Sequence, residues 1–259
     1  MITLTSAQLD AWIAAFFYPL ARILALIAAA PPFSNAAVPL RVKAALGLAL
    51  ALALAPALPA IPAISPASGA GLMVLAQQML IGATMGFAFR LVISAIDFAG
   101  ELIGLQMGLG FATFYDPNNT AQTPVISEFL SLLGLLVLLS MNGHLMMLAT
   151  LLRSFEALPI GASLLGAGSW SNLAHAGAII FASGLMLALP VVCALLITNV
   201  ALGVLTRAAP QLNLFAVGFP LTLIGGFAVL ILSLGYLSTP LLQLFEHGIQ
   251  AMLGHFVRA

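Results

Sequence analysis

The sequence predicts an all-α, nominally multi-pass membrane protein, and three observations carry that assignment. Of its 259 residues, 63% are hydrophobic and only 5% are charged, whereas a soluble domain carries about 25% charged residues. The apolar residues form long unbroken runs, separated by clusters of Pro, Gly and Asn. Seven basic side chains balance seven acidic ones, so no electrostatic footprint for nucleic acid or an anionic surface is present. A soluble enzyme, a nucleic-acid binder and a disordered linker are excluded together.

About six helical blocks follow in order, expected to form one integral membrane domain over residues 1–259. The first begins near Asp10, a plausible N-cap, and stops at Pro31-Pro32. No basic segment precedes it, so it reads as retained and not as a cleaved signal. A second, short Ala/Leu block spans about Leu40 to Ala55 and ends at Pro56. Prolines and serines then mark a loop to Gly71. The third block spans about Leu72 to Leu109 and the fourth about Val125 to Phe155. The fifth, about Ser171 to Leu205, contains Pro190, where a kink can divide it. The sixth spans about Leu214 to Leu253.

The third block is too long for an ordinary span. As one helix its ~38 residues would measure about 57 Å, against a hydrocarbon core of roughly 30 Å. Lys and Arg are spread too evenly over the connecting segments to orient the chain. Both features fit helices that pack against other protein subunits, and a helix broken into hairpins would give the same pattern.

Arg22, Arg90, Asp97, Glu101, Glu128 and His144 lie within or beside apolar blocks. In lipid each costs several kcal/mol, so each is expected to face protein or water. Arg90 and Asp97 are seven residues apart and Asp97 and Glu101 four, which places them on one helix face. Buried polar pairing suits this row better than an ion-coupled relay, because no regular series continues on other helices. His144 reads as a hydrogen-bonded histidine, and the other histidines lack metal-ligand spacing. The single cysteine, Cys193, reads as a small apolar residue and cannot form an internal disulfide. No nucleotide, hydrolase or metalloprotease motif occurs. The chain is therefore expected to be no enzyme and to hold no metal or cofactor.

Glycines at 82 and 86, and at 100, 104 and 108, form small-xxx-small series in the third block. They predict a smooth face where a neighbouring backbone approaches closely. The chain then reads GLQMGLGFATFYDPNNTAQTP from Gly104 to Pro124. Met107, Gly110, Phe111, Phe114 and Tyr115 bring bulky, adaptable apolar groups into a segment that glycines let turn. Such a segment suits a constriction that excludes water and ions. A buried loop that only packs is the alternative.

The chain resembles the flagellar biosynthetic protein FliR family. The similarity rests on Tyr18-Pro19-Leu20-Ala21-Arg22, Val38-Pro39-Leu40-Arg41-Val42-Lys43 and Gln77-Gln78-Met79-Leu80-Ile81-Gly82. It continues through the GLQMGLGFATFYDP stretch, Asn142-Gly143-His144 and Leu158-Pro159-Ile160-Gly161. Ala209-Pro210-Gln211-Leu212-Asn213 and Gly218-Phe219-Pro220-Leu221-Thr222 complete the ordered set. The resemblance implies a subunit of the flagellar type III export gate in the bacterial inner membrane, within the flagellar basal body. It implies a FliP/FliQ-like fusion fold within a helical channel built with FliP and FliQ, with FlhB near the cytoplasmic entrance. Unfolded flagellar proteins would be the cargo, and lipid would cover part of the surface. The loop matching Gly104 to Pro124 would help to close the pore, carrying that role to Met107, Gly110, Phe111, Phe114 and Tyr115. The injectisome counterpart, and a small ion-coupled transporter using Arg90, Asp97 and Glu101, are the alternatives.

Overall fold

A computed structural model describes residues 5–59, 61–111, 124–161, 171, 174–209 and 218–257. Every regular element among them is helical: α1 (Ser6–Ala29), α2 (Pro31–Ser34), α3 (Leu40–Leu54), α4 (Gly69–Gln106), α5 (Val125–Ser140), α6 (Gly143–Ala157), α7 (Ala178–Ala208) and α8 (Phe219–Val257). Five helices are long and apolar enough to cross a membrane. The fold is thus an all-α multi-pass membrane fold. The expected long block is real, since α4 runs unbroken for 38 residues.

Local chemistry explains where the structure departs from the sequence reading. The first helix is capped by Thr5 and not by Asp10. Thr5 accepts from the backbone N–H of Gln8, and the Gln8 side chain accepts from the N–H of Thr5. This reciprocal pair satisfies two orphan donors at once, which a lone carboxylate one turn later does not. The expected fourth block is two helices, because Asn142 takes a left-handed conformation with φ 58°. That turn interrupts the helix, and asparagine is among the few residues that tolerate it. Pro190, by contrast, does not divide α7, which passes through it as one element.

The chain forms two compact units, Met1–Leu91 with Asn142–Ala176 and Phe245–Ala259, and Val92–Met141 with Gly177–Leu244. In the first unit the buried faces repeat at helical spacing. Tyr18, Arg22 and Leu26 line α1, Ile81, Met85 and Phe89 line α4, and Met147, Leu151 and Phe155 line α6. The Phe89 ring lies 6.0 Å from that of Phe245 at an interplanar angle of 18°. In a membrane, where lipid tails are as apolar as these side chains, such faces hold through close van der Waals packing.

In the second unit α4 continues as a small-residue face. A Cβ on Gly184 of α7 would lie 2.7 Å from the carbonyl oxygen of Ala95, so the two backbones touch. Phe98 and Phe181 seal the flank edge-to-face, with centroids 5.3 Å apart. Many large apolar side chains remain outside, among them Phe181, Met186 and Ile197 on α7 and Ile224, Ile231 and Leu232 on α8. An apolar exterior of this kind belongs against lipid or partner subunits.

Candidate functional site

The Gly- and Phe-rich segment starts from the end of α4. Met107 N still donates to Ile103 O at 2.9 Å, and Gly108 N donates to Leu105 O at 3.0 Å. Gly108 then adopts φ +83°, the left-handed stop that ends helices and that glycine meets without steric cost. A single 3₁₀ turn, Leu109–Phe111, follows. Gly110 sits half-buried in it, and among the described residues an added Cβ would meet only the Leu105 side chain, at 3.4 Å. The backbone of Phe111 closes this turn. Phe114 and Tyr115 lie outside the described residues, as does the rest of the segment to residue 123.

The Met107 side chain is fully enclosed, one residue beyond the end of α4, and packs against α8 at Gly226. The hydroxyl of Thr222 donates to the Met107 carbonyl at 3.4 Å. One turn further along α8, Gly226 leaves a notch that the thioether fills. A Cβ there would lie 2.5 Å from Met107 Cγ and 3.0 Å from both its Sδ and Cε.

Three of the sequence motifs meet at Arg22. Its Nε donates to Gln78 Oε1 at 2.8 Å. Its Nη1 donates to the carbonyl of Ser154 at 2.8 Å and to its hydroxyl at 3.0 Å, and its Nη2 donates to the Leu158 carbonyl at 2.8 Å. The guanidinium carbon stands 4.2 Å from the centre of the Phe155 ring. The carbonyls belong to the C-terminus of α6, the negative end of its dipole, and the ring face is also electron-rich. One turn earlier on α1, the Tyr18 hydroxyl donates to Ile64 O at 3.0 Å. In sequence Arg22 is a polar group in an apolar helix and the end of one family-like motif. Its spacing from Tyr18 is the one local signal, and no local pattern announces Gln78, Ser154 or Leu158 as partners.

The glycines of α4 do different work. Gly82 faces the backbone of α1 at Arg22, and a Cβ on Gly86 would lie 2.6 Å from Ala29 Cβ. Gly100 lies against the backbone of Ser127 on α5. At Gly104 an added Cβ would make only ordinary contacts, 3.9 Å from Ile126 and Leu109. Gly108 serves the turn.

Of the polar row, Asp97 is half-buried, and its carboxylate accepts from the Ser131 hydroxyl. Ser127 donates to the Asp97 carbonyl at 2.9 Å. Arg90 and Glu101 are exposed on the folded chain, so the structure brings neither into a buried pair. Glu128 is exposed as well. His144 keeps its Nδ1 buried without a hydrogen-bond partner among the described residues.

The pattern of bacterial export proteins, family 1, matches residues 13–248. The chain belongs to that family. Among its relatives is the flagellar biosynthetic protein FliR of Pectobacterium carotovorum, 47% identical over 247 residues, covering 95% of this chain and 93% of the relative. The protein of that name from Escherichia coli K12 is 45% identical, covering 89% and 88%. That from Bacillus subtilis is 30% identical, covering 68% and 69%. The matched region of this bacterial export protein contains Arg22 and its partners, the end of α4, and the Thr222–Gly226 face of α8.

Proposed function

We propose that this chain is a channel-forming subunit of the flagellar type III export gate, passing unfolded flagellar proteins across the bacterial inner membrane. One observation carries the reading: flagellar relatives align along nearly its whole length, through the Gly/Phe-rich segment as well as the helices. The chain is a non-enzymatic component that assembles with FliP and FliQ, with FlhB near the cytoplasmic entrance. Its apolar exterior is covered partly by those subunits and partly by lipid, which accommodates helices much longer than a bilayer is thick. Residues Gly104 to Pro124 form the closing segment, with Gly110, Phe111, Phe114 and Tyr115 narrowing the pore. Aromatic side chains in a narrow, apolar passage exclude water and hydrated ions, yet a polypeptide chain can push them aside. Gly82, Gly86 and Gly100 seat α4 against its neighbours.

Removing the gene from its bacterium tests the reading. Loss of swimming and of flagellar subunit export, restored by the wild-type chain, is expected, together with copurification of FliP and FliQ. Normal swimming combined with lost effector secretion would instead assign the chain to an injectisome.

A further inference from the structure

We propose that Met107 and Gly226 form a reversible latch, which ties the end of α4 to α8 and must release when an export substrate passes. The proposal rests on the gate reading above and deepens it by separating the residue that holds the closing segment from the residues that fill the pore. Met107 is the last residue before the left-handed turn at Gly108, so holding it fixes where the segment leaves the helix. Two contacts on one face of α8, a helical turn apart, do the holding. Thr222 donates to the Met107 carbonyl, and the thioether lies in the notch at Gly226.

The chemistry suits a fastening that opens. The hydrogen bond is long, at 3.4 Å, and Thr222 also donates to its own helix at Phe219 O, 3.0 Å away, so release leaves no stranded hydroxyl proton. The other contact is dispersion alone, made by an unbranched side chain whose torsions rotate readily. Gly226 is essential to the fit. Any Cβ there would drive three atoms of Met107 from their places.

The same distances supply the test. A Cβ at 226 stands 2.5 Å from Met107 Cγ, and Cγ is one bond of about 1.5 Å from its own Cβ. The two Cβ positions therefore lie within about 4 Å, the separation a disulfide bridges. Met107→Cys and Gly226→Cys, in a chain whose exposed Cys193 is replaced by Ala, can be cross-linked in cells with a thiol oxidant while secreted flagellin is measured. The latch predicts that the cross-link forms, that export stops as it forms, and that export resumes on reduction. A complete cross-link with continued export overturns the latch and leaves the gate reading standing, as does failure of the two cysteines to join. If the reduced double-cysteine chain exports nothing, Gly226→Ala decides: a Cβ there displaces Met107 from the notch, so the assembled gate must leak small ions at rest, and a Gly226→Ala gate as tight as wild type overturns the latch. The gate reading fails separately, if cells lacking the chain swim and secrete normally.

Discussion

Arg22 donates to Gln78 across 2.8 Å in a fully buried position, and among the described residues no carboxylate balances its charge. The charge is met instead by a side-chain amide, two helix-terminal carbonyls, a hydroxyl and an aromatic face. Buried ions commonly require a counter-ion. Here the planar fork spreads the charge over three nitrogens, each of which finds an acceptor. The result fastens α1, α4 and α6 at one point, which is why motifs far apart in sequence belong together.

Arg22→Ala should therefore destabilise the chain, since each buried polar group left unpaired costs about 1–3 kcal/mol. Arg22→Lys should recover only part of the loss, because an ammonium cannot reach Gln78, Ser154 and Leu158 together. Thermal unfolding in detergent would measure both, and an unchanged midpoint for Arg22→Ala would remove Arg22 from this role.

The all-α membrane class and the long third block were legible in sequence because each depends on local composition or spacing. The Arg22 site was not, as its acceptors lie 56, 132 and 136 residues away. Likewise, Met107 reads as one apolar residue among several, and only α8 distinguishes it. Gly226 carries no local signal, being one of two adjacent glycines in an apolar run. The break at Asn142 was hidden by continuous apolar residues on both sides, and a single left-handed residue decided it.

The α4 glycines give a graded prediction. Gly82→Ala forces a Cβ against the α1 backbone and should cost on the order of 1–3 kcal/mol, as overpacking does. Gly104→Ala meets only ordinary contacts, and should be neutral or slightly stabilising through helix propensity. The amount of folded chain recovered from membranes would rank them, and equal yields would mean that Gly82 does not set the α1–α4 approach.

Asp97→Asn should leave protein export intact, because the amide oxygen still accepts from Ser131. The purified chain should likewise show no proton-coupled uptake in vesicles. Uptake by the wild-type chain that Asp97→Asn abolishes would establish a transporter and overturn the gate reading.

Ion conductance through the assembled gate, with Phe111→Ala and Phe114→Ala introduced together, tests most directly the proposed closure of a protein-conducting pore by an apolar segment. The doubly substituted gate should leak small ions at rest where the wild-type assembly is tight. A doubly substituted gate as tight as wild type would contradict it.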